Sequence, residues 1–257
     1  MTNLEGPEAK SDDRIVGAAP PGARDEAAAA VAVREMFTSI APRYDLLNHV
    51  LSMNVDRLWW NRTAREFADL LQRPGAQVLD LCCGTGDMAF ALYRRLKGAS
   101  TPIIGADFSH AMLVRAEEKA VGKSIRWIEA DALNLPFHTG RFHLVTSAFG
   151  FRNLANYDRG LAEIYRILAP DGEVGILDFG EPKGLLGKLY RVYFRHVLPA
   201  IGTVISGVRG PYSYLPASVL RFPSPDEMLE RMRAVGFRDV SWTPYTFGIA
   251  GLYRGKK

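Results

Sequence analysis

The spacing of apolar residues changes character along the chain. From Asp25 to Ile40 an alanine-rich stretch has helical composition and breaks at Pro42. Residues 43–71 read as further helix, with Leu46, Leu47, Val50 and Leu51 at helical spacing. After Pro74-Gly75 short apolar runs begin to alternate with helical ones. The runs Gln77–Leu81, Pro102–Asp107, Ile125–Asp131, Phe142–Ala148 and Glu173–Phe179 predict five strands. Helices are predicted over Asp87–Leu96, Ala111–Ala120 and Asp158–Leu168, the last stopped by the turn signal Pro170-Asp171-Gly172. Such alternation predicts an α/β fold with a mainly parallel, doubly wound sheet. Between Pro182 and Pro223 the alternation fails, and mixed apolar, aromatic and basic residues predict an inserted helical cap. Pro225–Val235 returns to helix with Ser224 as its N-cap. Phe237–Trp242 and Thr246–Tyr253 then predict a closing hairpin.

Residues 1–26, rich in Pro, Gly, Ala and charge, predict a disordered lead-in. The remainder, 27–257, fits one domain, with 27–72 as an N-terminal helical lid and 183–223 as the cap. A net charge of +4 is mildly basic and by itself describes a solvated surface. The two cysteines, Cys82 and Cys83, are adjacent, which excludes a disulfide framework and gives poor zinc-ligand spacing; a reducing, cytoplasmic setting is the expectation. No apolar run reaches the roughly 18–20 residues of a membrane span, and the acidic start has no secretory signal character.

The chemistry concentrates in Asp80-Leu-Cys-Cys-Gly84-Thr85-Gly86-Asp87, at the end of the first predicted strand. Glycines there let the chain turn tightly and a ligand approach the backbone. Asp107 ends the second strand and can accept hydrogen bonds from both ribose hydroxyls of a nucleoside. Asp131 ends the third, and Ala132 beside it suits the edge of an adenine. A dinucleotide would have its pyrophosphate against this loop, where Asp80 and Asp87 are unwelcoming. A sulfonium cation with an amino-acid tail fits better, so the expected cofactor is S-adenosyl-L-methionine, held by Asp80, Gly84, Gly86, Asp107, Asp131 and Ala132.

With these segments in view, the chain resembles the ubiquinone/menaquinone biosynthesis C-methyltransferases over roughly residues 34–256. The likeness rests on Met36-Phe37 through Tyr44-Asp45-Leu-Leu-Asn48, Arg57-Leu-Trp59, Val78 to Asp87, Ala130-Asp131-Ala132 with Leu135-Pro136-Phe137, Phe149-Gly-Phe-Arg-Asn153, Tyr165-Arg166-Ile-Leu168 and Tyr212-Ser-Tyr-Leu215. It implies a Rossmann-like class I methyltransferase with a mainly parallel seven-stranded sheet, donor contacts at Thr85, Asp107, Asp131 and Ala132, and a prenylated quinol as acceptor. Several members of the family have Ser before the Phe-Gly-x-Arg-Asn motif; here it is Ala148. Cys82-Cys83 leans toward the menaquinone branch, hence toward demethylmenaquinol, with a benzoquinol of ubiquinone biosynthesis as the alternative.

Methylating a quinol carbon needs an ionised hydroxyl, a proton acceptor and oxyanion stabilisation, and requires no metal. Arg152 and Asn153, past the fourth strand, are the expected acceptor residues, with Tyr44 of the lid a third candidate and Asp45 beside it. His49, His110, His138, His143 and His196 lack ligand spacing, and of these only His196, in the cap, is a candidate base. Lys183 to Arg195 interleaves basic with apolar residues, as an interfacial helix would. A lipid acceptor therefore implies a peripheral membrane surface, at the inner face of the membrane; no nucleic-acid partner is expected, and a homodimer is left open. Two readings compete: a methyltransferase of RNA or protein on the same scaffold, and a non-catalytic binder of the donor. After the fourth strand Phe149-Gly150-Phe151 stands where base amino-methylation would need an Asn-Pro-Pro-Tyr type motif.

Overall fold

The computed structural model describes residues 15–44, 52, 54–98, 100–180, 182, 187 and 211–257. Its strands are β1 (Val78–Leu81), β2 (Ile103–Asp107), β3 (Ile125–Glu129), β4 (Phe142–Ala148), β5 (Leu168–Phe179), β6 (Arg238–Tyr245) and β7 (Ala250–Lys256). They form one sheet in the order β3-β2-β1-β4-β5-β7-β6, in which only β7 runs against its neighbours. The order reverses between β1 and β4, and a doubly wound sheet binds its ligand at such a switch point. The expected mainly parallel, seven-stranded Rossmann-like sheet is present.

Alternate residues of the strands serve two cores. Val78, Ile103, Leu144 and Leu252 pack with α2 (Val55–Glu66), α3 (Ala68–Leu71) and α4 (Asp87–Tyr93) on one face. Leu79, Leu81, Val145 and Ile176 pack on the other with α6 (Tyr157–Ile167) and α8 (Pro225–Val235). The helix α5 (His110–Lys119) follows β2, and α7 (Pro211–Arg221) precedes α8. Ser224 caps α8 as expected, in a capping box with Glu227. No helix among the described residues is long and apolar enough to cross a membrane.

The N-terminal segment contains α1 (Glu26–Ile40), whose first turn is capped by the Asp25 side chain accepting from Ala28 N at 2.7 Å. Ile40 and Ala41 pack on Met112 of α5. Polar ties hold the helix to the sheet ends: Arg34 with Glu129, Thr38 with Ser109 at 3.1 Å, and Glu26 accepting from Asn156 at 2.7 Å and Arg159 at 2.9 Å. The predicted helix over Leu46 to Leu51 lies outside the described residues, as do Asp45, His49, His196 and residues 183–186 and 188–210 of the expected cap.

Three expectations need correction. Residues 15–25 are not a disordered lead-in. Gly17 and Ala18 donate their backbone N–H groups to Ala155 O and Leu154 O at 2.9 and 2.7 Å, and Arg221 of α7 clamps the same strap through Gly17 O and Ile15 O at 2.6 and 3.0 Å. Second, Pro170-Asp171-Gly172 does turn, with Asp171 at φ +59°, but as an irregularity inside β5, so that strand starts at Leu168 and its pairing with β4 resumes at Glu173. Third, β6 runs on to Tyr245, and Thr246–Gly248 form the tip of the hairpin rather than the start of its second strand.

Candidate active site

The carboxyl ends of β1, β2 and β4 open on one cleft of about 1000 Å3, open to solvent. The N-terminal segment contributes Ala30, Phe37 and Tyr44, α2 contributes Trp60, and the turn after β3 contributes Ala130 to Leu133. Four aspartates, Asp80, Asp87, Asp107 and Asp131, line this cleft, and among the described residues neither a lysine nor an arginine does.

Asp80 is fully buried on β1, where the Thr146 hydroxyl of β4 donates to its Oδ1 at 2.8 Å. Its Oδ2 is buried without a hydrogen-bond partner among the described residues. Burial pushes its pKa up to about 7 against the relief from Thr146. Asp107 ends β2 and accepts from Gly84 N at 2.8 Å through Oδ2 and from Ser109 N at 2.9 Å through Oδ1. It therefore shapes the glycine loop as well as facing the cleft, and burial raises its pKa to about 6.

The loop between β1 and α4 folds as the glycines predict. Gly86 sits at φ +89°, and a Cβ there would come within 2.6 Å of the Trp127 ring. Thr85 lines the cleft, with its hydroxyl accepting from Lys119 at 3.0 Å; Lys119 also pairs with Asp87 at 3.1 Å. Lys119, on α5, went unnoticed in the sequence because helical spacing alone does not show which loop it reaches. Burial raises both thiols, Cys82 and Cys83, well above the ordinary cysteine range, so they are held protonated.

Asp131 does not end a strand: β3 stops at Glu129, and Asp131 bridges to Asn134 while its Oδ1 accepts from Leu133 N at 2.9 Å. It remains on the cleft wall with Ala132. Tyr44 stacks edge-on against Phe37 at 6.0 Å, and its ring edge lies 3.8 Å from where a Cβ on Gly84 would stand, so the N-terminal segment reaches the glycine loop.

Of the two residues expected past β4, only Asn153 lines the cleft. Arg152 lies behind that wall, almost wholly buried. Its guanidinium pairs with Asp178 of β5 at 2.9 Å, donates to Phe149 O and stacks over the Phe179 ring at 5.0 Å, while its backbone N–H donates to Asp178 Oδ2 at 3.1 Å. An arginine so engaged fixes the turn from Phe149 to Asn153 and does not line the cleft. Asn153 Oδ1 accepts from the Tyr214 hydroxyl of α7 at 3.2 Å. Tyr214 was not singled out in the sequence, although the Tyr212-Ser-Tyr-Leu215 segment contained the signal. Burial pushes its phenol up to about 12, which makes it a hydrogen-bond donor at neutral pH. His143 Nδ1 accepts from Gln77 N at 3.1 Å, and His110 pairs with Glu129 at 3.3 Å, so neither serves the cleft.

An acidic switch-point cleft on this sheet defines a class I S-adenosylmethionine-dependent methyltransferase. Solved structures share the fold: a methyltransferase of that class from Thermotoga maritima superposes with a TM-score of 0.62 at 19% identity, over 87% of this chain and 99% of its own. The [4+2]-cyclase SpnF does so with a TM-score of 0.61 at 16% identity, over 88% of this chain and 94% of its own, so likeness at this level speaks for the fold alone. The chain belongs to the ubiE/COQ5 methyltransferase family, whose pattern matches residues 24–257. It is 50% identical to the demethylmenaquinone methyltransferase of Deinococcus radiodurans over 88% of this chain and 92% of the relative. It is 48% identical to that of Thermus thermophilus, over 86% of this chain and the whole of the relative. The ubiquinone/menaquinone biosynthesis C-methyltransferase of Geobacter sulfurreducens is 42% identical over 88% of both chains.

Proposed function

We propose that the protein methylates a ring carbon of a prenylated naphthoquinol, converting a demethylmenaquinol to a menaquinol. The observation that carries this reading is the mixed lining of the cleft. Its four aspartates, with no lysine or arginine among the described lining residues, share it with the apolar Phe37, Phe149, Leu154 and Ala155. The carboxylates suit a cationic methyl donor and the apolar side chains a flat ring. The names of the relatives at 50% and 48% identity support the naphthoquinol head group; the name of the Geobacter relative keeps a benzoquinol as the alternative.

Bound at the aspartate end, S-adenosylmethionine supplies an electrophilic methyl group on a sulfonium. Asp80 offers the unpartnered Oδ2 to the amino-acid tail, Asp107 accepts from the ribose hydroxyls, and Asp131 with Ala132 meets the adenine edge. Gly84 and Thr85 line the floor, and Gly86 turns the loop behind them against Trp127. Asn153 holds the quinol oxygen from its amide, oriented by Tyr214, and Tyr44 closes the lid over the reacting ring. Arg152 acts as a positioning residue, through the turn it anchors on Asp178. A lipid acceptor also calls for contact with a bilayer surface. The test is transfer of labelled methyl from S-adenosylmethionine to a short-tailed demethylmenaquinol and to the corresponding benzoquinol. The naphthoquinol should be labelled at the ring carbon by a wide margin; equal or greater labelling of the benzoquinol would sink the head-group assignment.

A further inference from the structure

The tip of the β6–β7 hairpin carries a conformation that needs a reason. Thr246, Phe247 and Gly248 are consecutive residues with positive φ, at +45°, +58° and +89°. A β-branched residue and a bulky aromatic rarely adopt that region, and strain of this kind persists where surrounding structure imposes it. Here the imposing contacts come from α2. The Trp59 indole N–H donates to Thr246 Oγ1 at 2.7 Å, and the Arg62 guanidinium lies 4.1 Å from the centre of the Tyr245 ring. The hairpin tip thus rests against the helix, and Leu58 and Phe247 are each the chain neighbour of one of the two bonded residues, Trp59 and Thr246. Phe247 is 82% and Leu58 67% exposed, so the strain presents an aromatic ring to solvent.

Exposed basic groups share the helix with Leu58, and its exposed acid, Glu66, is paired with Arg254. Arg57, Arg62 and Arg65 are exposed on α2, with Arg62 and Arg65 on the same stripe as Leu58. Arg94, at the end of α4, reaches across to Asn61 at 3.4 Å. The inner side of the same helix serves the cleft: Trp60 lines it, and Trp59 packs on the lining residue Phe149 at 5.7 Å. We infer that Phe247 and Leu58, with the arginines exposed on the same helix, form a docking surface for an anionic bilayer, one helix away from the cleft. Two apolar plugs flanked by arginines match the charge and layering of an interface between acidic headgroups and acyl chains. In purpose the inference rests on the lipid-quinol reading; vesicle binding itself does not.

The experiment uses the full chain and vesicles of phosphatidylcholine with or without phosphatidylglycerol. Co-sedimentation should show binding to the anionic vesicles that weakens with salt. The double variant Leu58→Ser/Phe247→Ser should lose about tenfold in that binding, and Arg57→Gln/Arg62→Gln about as much or more. Turnover of a water-soluble short-tailed quinol should stay at the wild-type level in the apolar variant, while turnover of a long-tailed quinol in vesicles falls. Wild-type vesicle binding by that variant would overturn the inference, as would loss of binding only on neutralising Lys183, Lys188, Arg191 and Arg195. Light scattering that showed a dimer dissociated by the same substitutions would overturn it in favour of self-association. Vesicle binding that follows these residues, without methyl transfer to any quinol, would instead remove the proposed function and leave the surface standing.

Discussion

Donor affinity should fall steeply on acidification, and two carboxyls set the size of the fall. Burial raises Asp80 to about 7 and Asp107 to about 6. A sulfonium donor and its ribose hydroxyls favour the charged carboxylates, so binding must expel any proton they hold. At pH 8 both are largely ionised; at pH 6 Asp80 is mostly protonated and Asp107 half so, which weakens binding about twentyfold. Near pH 6.5 each donor bound should release about one proton. Titration calorimetry in two buffers of different ionisation enthalpy measures that proton directly. Folding stability moves the other way. Both groups lie at 3.8 when unperturbed, so between roughly pH 4 and 7 the folded chain holds extra protons. The donor-free protein therefore loses stability as pH rises through that window, and the donor restores it. Affinity that is flat from pH 6 to 8, or proton uptake on binding, would refute the reasoning; Asp80→Asn should remove the upper part of the profile.

Arg152→Ala leaves Asp178 buried without its cation and should cost roughly 3–5 kcal/mol, lowering the melting temperature by about 10 °C with donor affinity intact; wild-type melting with lost turnover would instead put Arg152 on the substrate. Gly17→Val places a Cβ 2.0 Å from Leu154 O, so the strap must lift; the acceptor KM should rise with donor affinity unchanged, and parallel loss of both would mean general destabilisation. Tyr214→Phe removes the donor that orients Asn153 and should cost about 1 kcal/mol, seen as up to about a fivefold change in acceptor kcat/KM; no change would separate α7 from the site.

The aspartate-bearing part of the cleft was legible in the sequence because it is written locally. Strand alternation places Asp80 and Asp107 at strand ends, and two glycines mark the turn between them. Asp131 was displaced by only two residues from its expected strand end, since alternation does not reveal where a ladder stops. The acceptor half depends on partners far apart in sequence. Arg152 looked available because its carboxylate, Asp178, stands on the next strand, and nothing local announces that pairing. The strap at Ile15 to Ala18 has the composition of a disordered tail; its order comes from Leu154, Ala155 and Arg221, which composition cannot report. Tyr214 was hidden in the same way, by a cap whose chain direction the alternation does not give.

At the switch point, Gly150 lies so close to the first strand's exit that a Cβ there would stand 2.3 Å from the Cβ of Cys82. Cys82 is itself at φ +53°, so the two positions share one small volume beside the donor loop. Across relatives this predicts coupled variation: a side chain at the position of Gly150 should appear only where the position of Cys82 has become glycine. With both thiols held protonated by burial, the cysteine pair is interchangeable with other small residues on the same terms. Space, more than sulfur chemistry, is what selection should be seen to act on there.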